Sequence, residues 1–288
     1  MHDRWTELDR RARELNDLDK VLGLLGWDEE TYAPDRARPG RGRQNATLEA
    51  IRHQRLVEPA LGELVRTFAD DTDELRRMLA RRLGRRRARA LAVSERLVRA
   101  FAEARSAALA SWQEAKRASR FELFAPHLER LIELSKERAD ALCTSEATAA
   151  GLPGTYRALL ATTGTTAASR FSTAGNPWAR VDDVILAPTA AGFLGTPFLG
   201  PPRYWQAALN VTAGGAYRQD RIWAGGATLG TSGTGTSCNG WSTVSATAFG
   251  AVGIGWSSEV ASAFANYAQS SGVTTCDNTQ SKLMCLQQ

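Results

Sequence analysis

One well-marked arrangement for hydrolysis with a metal-activated water is two histidines one helical turn apart with a glutamate between them, the H-E-x-x-H spacing. This chain of 288 residues has three histidines, His2, His53 and His127, and no two of them are close in sequence. They read as surface or helix-packing residues. Asp28, Glu29 and Glu30 bring together carboxylates of the kind that acid/base chemistry uses. Neighbouring side chains project in different directions, however, so loop capping is the better reading. No residue is assigned a catalytic or metal-binding role, no cofactor is expected, and the chain reads as a non-enzyme.

The remaining reactive side chains are four cysteines, Cys143, Cys238, Cys276 and Cys285, all in a stretch rich in Gly, Ser and Thr. That setting points to two disulfides, which persist in oxidising compartments. Four cysteines allow three connectivities, and sequence does not choose among them. Trp223, Trp241 and Trp256 are the candidate ligand-binding residues, as an aromatic platform that Trp178 and Trp205 would extend; burial in a core is the plainer account of all five.

A compositional break near residue 142 sets the elements that must position these groups. Residues 1–142 carry 29 Lys+Arg and 25 Asp+Glu, whereas residues 143–288 carry 7 and 6, and 19 of the 25 glycines lie in the second part. Halves this different predict two domains, 1–142 and 143–288, each long enough to bury a core. In the first, Trp5, Leu8, Ala12, Leu15, Leu18, Leu22 and Leu25 recur at helical spacing, predicting a helix that ends near Gly26. Pro34, Pro39 and Gly40 predict a loop, and helices follow over 42–56, around Leu61–Phe68, from Leu75 with an interruption near Gly84, and over 90–118. Ser119-x-x-Glu122 has the capping-box pattern that would start the next helix, with Pro126 in its first turn. The run Arg76, Arg77, Arg81, Arg82, Arg85, Arg86, Arg87 and Arg89 has the charge to meet phosphate backbones. Asp70, Asp71, Asp73 and Glu74 flank it, so it is read as a solvated face and nucleic acid is not expected as a partner.

Leu25 to Pro34 (L-G-W-D-E-E-T-Y-A-P) resembles the W-D-x-E-T-Y-x-P signature of the carboxypeptidase Taq family. Phe121 to Glu129 (F-E-L-F-A-P-H-L-E) resembles that family's second N-terminal signature. The resemblance covers residues 5–142. It implies an all-α array from helical, usually dimeric zinc metallocarboxypeptidases, whose zinc ligands lie downstream of this region. Helices cut from that body would leave apolar surface exposed, favouring self-association or docking on the second domain.

The second half reads as a short helix at Cys143 ending at Gly151, a strand near Tyr156, a strand over Val181–Ala187, loop from Pro188 to Pro202, a strand from Arg221 and a final strand within Ser281–Leu286. Ala149 to Tyr156, Ser169-Arg170-Phe171, Ile222 to Gly225, Cys238 to Trp241 and Leu283 to Leu286 carry a resemblance to a bacterial extracellular domain of the endostatin/C-type-lectin-like fold. It covers residues 137–288, and Glu137–Leu142 fits both resemblances. This implies nested bridges, Cys143–Cys285 and Cys238–Cys276, in a disulfide-stapled α+β domain. Gly225 to Trp256 holds Asn239 but no Asp or Glu, so calcium-dependent sugar binding is not expected.

The fold class expected is two-part, an all-α helical array followed by that α+β domain. The function expected is a non-catalytic binding or surface-associated protein with an unknown protein or glycan ligand. The alternative is a zinc metallocarboxypeptidase removing C-terminal residues from peptides. No apolar run is long enough to span a membrane. The N-terminus lacks a signal-peptide pattern, which suggests the cytoplasm, while the cysteines suggest an extracellular origin.

Overall fold

The computed structural model describes residues 2–195, 205–226, 228–233, 237–241, 249–254, 273–276 and 281–287. The chain divides into two compact units, Met1–Leu134 and Ser135–Gln288.

The first unit is helical. Its elements are α1 (His2–Thr31), α2 (Arg38–Val57), α3 (Pro59–Thr67), α4 (Glu74–Leu91), α5 (Glu95–Ala118) and the beginning of α6 (Ala125–Ala149). The ends follow local chemistry. Pro39 and Pro59 occupy first-turn positions of α2 and α3, where a missing N–H costs nothing. The Asp73 carboxylate accepts from the Arg76 N–H to cap α4, and the Ser94 hydroxyl accepts from the Leu97 N–H to cap α5. Leu8, Leu15, Leu56, Leu61, Leu64, Phe68, Ala80 and Leu83 form the main core, and Trp5 packs edge-on against Phe68. Val93, Leu97 and Leu134 form a smaller one.

Four sequence expectations need correction here, the first being the loop at Pro39 and Gly40, which lie in the first turn of α2. α1 does not stop near Gly26 but runs on to Thr31. α4 passes Gly84 uninterrupted. Ser119 does not start a helix: it ends α5 in the left-handed region at φ 53°, a short 3-10 turn follows at Phe121–Leu123, and α6 begins at Ala125. Apolar side chains remain exposed beyond the middle of α1: Val21, Leu24, Trp27 and, just past its end, Tyr32.

The second unit takes the rest of α6, which Gly151 closes at φ 73°, a conformation that favours glycine. Its strands are short. β1 (Tyr156–Ala158) pairs antiparallel with β7 (Cys285–Gln287), and β2 (Trp178–Ala179) with β3 (Ile185–Ala187). β4 (Arg221–Trp223), β5 (Phe249–Ile254) and β6 (Val273–Thr275) form an antiparallel sheet in that order. The strand expected over Val181–Ala187 is confined to its last three residues, because the chain turns at Asp183 with φ 63°. A short helix, α7 (Ala190–Leu194), stands in the expected loop, and α8 (Cys238–Trp241) is a single turn. Leu159, Phe171, Leu186, Phe193, Trp205, Ile222 and Leu286 are prominent in its main core.

Among the described residues no helix is long and apolar enough to cross a membrane.

Candidate functional site

The Trp27–Pro34 segment sits at the end of α1, where it is tied to two other helices. Glu29 is buried, and its carboxylate accepts hydrogen bonds from the Asn45 amide of α2 at 3.1 Å and from the Ser106 hydroxyl of α5. Asp28 pairs with Arg41 of α2 at 2.6 Å. A buried carboxylate is costly unless hydrogen-bonded, and this one is satisfied by two neutral donors. The close approach needs Gly42, since a Cβ there would lie 2.6 Å from the Ser106 Oγ. Asp28 and Glu29 therefore act as ties between helices and not as loop caps. Trp27 and Tyr32 remain exposed and meet edge-to-face, 5.2 Å between centroids.

The residues that could ligate a metal are dispersed. His53 is 7% exposed in α2, with no hydrogen-bond partner on either ring nitrogen. Burial pushes its imidazole below the usual value, while Glu95 pulls the other way. His127 lies in the first turn of α6, and Ala33 and Pro34 separate the exposed Tyr32 from Asp35. Among the described residues no three His, Cys, Asp or Glu side chains come together as a metal-binding group. The donor set of the described residues does not fit zinc, and no chemical step is derived through one.

In the second unit Cys143 is bonded to Cys285, with Cα atoms 5.4 Å apart, and Cys238 to Cys276 at 5.6 Å. The first bridge joins α6 to β7. Trp223 and Trp241 meet edge-to-face at 5.4 Å, and the Trp241 indole N–H donates to the Ala161 carbonyl at 2.9 Å. Both are partly buried and pack on the core that contains Cys143, Ala158 and Leu160. Trp205 is buried against Phe193. Trp256 lies outside the described residues, so the pairing shown involves two of the three candidate tryptophans.

Two polar clusters of this unit escaped the sequence reading. Arg170, only 8% exposed at its side chain, donates to both carboxylate oxygens of Asp140, at 2.8 and 2.7 Å, and to the Ala158 carbonyl at 2.6 Å. Arg180 donates to Asp182, Asn210 and the Ala208 carbonyl, and Tyr217 donates to Asp182 at 2.9 Å. Hydrogen bonding from Arg180, helped by Tyr217, holds the Asp182 carboxyl down to about 2. Neither cluster shows a motif in sequence: Asp140 and Arg170 are 30 residues apart, and the Arg180–Asp182 pair takes its other partners from 28 to 35 residues away.

Comparison with known proteins bears on the helical part. A family model for carboxypeptidase Taq (M32) metallopeptidases matches residues 7–169, more than half of the chain. Thermostable carboxypeptidase 1 of Thermus thermophilus is 32% identical over 135 residues, covering 45% of this chain and 26% of that protein. Its namesake from Pyrococcus furiosus is 30% identical over 134 residues, covering 46% and 27%. The M32 carboxypeptidase structure from Deinococcus radiodurans aligns with a TM-score of 0.40 at 27% identity, over 48% of this chain and 28% of that one. The chain thus spans about a quarter of the length of the curated relatives it matches.

Proposed function

The chain belongs to the carboxypeptidase Taq (M32) metallopeptidase family, and we infer that its helical unit is the N-terminal scaffold of a peptidase that removes C-terminal residues from peptides. The family match across residues 7–169 carries this reading. The tie from Glu29 to Asn45 and Ser106 supports it, since it gives the Trp27–Pro34 signature a fixed place among three helices. Bond cleavage is assigned to no residue of this chain, whose sequence contains no H-E-x-x-H.

Two measurements test the division of labour. Residues 7–134, substituted for the matching segment of the Thermus thermophilus relative, should leave a folded enzyme with chelator-sensitive release of C-terminal residues. A folded, metal-loaded chimera without activity overturns the scaffold role. The present chain, purified whole and supplied with zinc, should release nothing from a peptide with a free C-terminus. Chelator-sensitive release by the chain alone would restore the full peptidase reading.

A second reading treats residues 143–288 as a lectin-like, disulfide-held binding module. It rests on the sequence resemblance, whose implied pairing of the four cysteines agrees with the two bridges. The bridges also support folding of this part in an oxidising compartment. Quenching or shift of tryptophan fluorescence on titration with a glycan panel is its test, and a flat response across the panel counts against it.

A further inference from the structure

α4 separates the arginine run into two populations. Arg76 lies over the Trp5 ring, 5.3 Å from its centroid. Arg77 donates to the Asp71 carbonyl at 2.8 Å, and Arg86 pairs with Asp19 at 2.8 Å. These three, and the half-buried Arg87 whose guanidinium lies against Gly62, are used inside the helical unit. Arg82, Arg85 and Arg89 are exposed, and no ion-pair partner is seen for them among the described residues. Arg81 is also exposed, 4.0 Å from an Asp70 carboxylate that is itself almost fully solvated. Steps of three and four residues place Arg82, Arg85 and Arg89 on one side of the helix, and the row from Arg81 to Arg89 is about 12 Å long at 1.5 Å per residue.

We propose that this outer row, Arg81, Arg82, Arg85 and Arg89, is a docking surface for the phosphodiester backbone of a nucleic acid. Guanidinium groups pair with phosphate oxygens through two parallel N–H bonds, and a row of one sign releases counterions when it meets a polyanion. The neighbourhood argues against a flat anionic membrane. Of the exposed apolar residues of α4, Leu75 and Met78 precede the row and stand beside Asp70, Asp71, Asp73 and Glu74, while Leu91 follows it and lies across the helix from Arg82 and Arg89. A lipid surface on the side of the row would have to meet those carboxylates to reach Leu75 and Met78, and would not reach Leu91, whereas a strand can follow the arginines alone. The contact reads charge and spacing and makes no base-specific demand.

The test is fluorescence anisotropy of the full chain with a labelled mixed-sequence DNA duplex of about 20 base pairs. Three to four phosphate contacts predict a slope of log affinity against log salt of about −2.7 to −3.6. That is a loss of about 40- to 150-fold between about 50 and about 200 mM salt. The exposed triple variant R82Q/R85Q/R89Q should lower the slope by about 2.7. A control of equal net charge, R13Q/R43Q/R130Q, should leave it nearly unchanged. Circular dichroism confirms that both variants are folded. Absence of binding at low salt, an unchanged slope in the α4 variant or an equal loss in the control overturns the proposal. Tighter binding to phosphatidylserine vesicles than to DNA does so too, and assigns the row to a membrane.

Discussion

Replacing Asp140 by alanine tests how much the second unit depends on a polar contact beside the Cys143–Cys285 bridge, where Ala158 pairs with Cys285. The carboxylate does two things at once. It receives both hydrogen bonds from the Arg170 Nη2, and its Oδ1 also accepts the Ala158 N–H at 3.0 Å. Ala158 is fully buried. Asp140→Ala leaves an arginine only 8% exposed without its counter-charge, and a buried backbone N–H without an acceptor. Breaking a buried pair costs about 3–5 kcal/mol, and an orphaned backbone group about 1–3 kcal/mol. The Asp140 side chain is 27% exposed, so water can reach the gap, and the lower end, about 3 kcal/mol, is expected. Asp140→Asn keeps an acceptor for the N–H and should cost about 1–2 kcal/mol. Arg170→Met should cost less than Asp140→Ala, since it leaves a carboxylate that water can solvate. Hydrogen exchange at Leu159 and Ala161, whose amides donate to Met284 and Ala224, reads this unit without interference from the helical one. About 3 kcal/mol corresponds to roughly 150-fold faster exchange at those amides. Acceleration of less than about fivefold, or an arginine deletion as costly as the aspartate deletion, would refute the reasoning.

The bridges should differ in worth. In the loop-entropy model the 142-residue span of Cys143–Cys285 contributes about 5 kcal/mol and the 38-residue span of Cys238–Cys276 about 4 kcal/mol; thermal melts of the Cys143→Ser/Cys285→Ser and Cys238→Ser/Cys276→Ser pairs check the order. His53 should make the helical unit acid-sensitive. Its folded imidazole titrates below the ordinary 6.5, because burial outweighs Glu95 and Glu49 while Arg52 adds to it. Protons therefore favour the unfolded chain, and stability, full above about 6.5, falls as pH drops through that value, by at most about 1.4 kcal/mol per pH unit. Urea titrations from pH 7 to 5 should show this fall in the wild type and a smaller one in His53→Leu. Gly225→Ala should cost about 2–4 kcal/mol, because φ is 80° and the new Cβ would sit 2.3 Å from the Ala161 carbonyl oxygen. Gly151→Ala, with φ 73° and open space around it, should cost only about 1 kcal/mol by the same denaturation assay.

Periodicity found the helices of the first unit because their buried residues fall every third or fourth position over long stretches. It misplaced ends wherever distant contacts decide them. Gly26 looked like a stop, yet α1 continues because Asp28 and Glu29 find Arg41, Asn45 and Ser106 on other helices. Ser119 and Glu122 carry a helix-start pattern, but the left-handed turn at Ser119 uses that serine as a stop. The second unit was harder to read because strands of two or three residues are too short to show alternation. Its lectin-like likeness rests on the residues quoted for it, and the family match ends at residue 169. The Asp140–Arg170 and Arg180–Asp182–Tyr217 clusters were invisible for another reason. Nothing in a chain with 36 Lys and Arg marks which cations are buried until the fold selects them.

Cys143–Cys285 makes residues 143–285 a covalent ring, and Cys238–Cys276 closes a smaller ring inside it. A protease that cuts once anywhere between those outer cysteines opens the ring and frees no fragment. The nicked protein keeps its intact mass under denaturing, non-reducing conditions and separates into two pieces only when a thiol is added. A cut before Cys143 behaves oppositely, since everything on its N-terminal side is linear and departs at once. The same polypeptide therefore carries one part that conceals proteolysis and one that reports it.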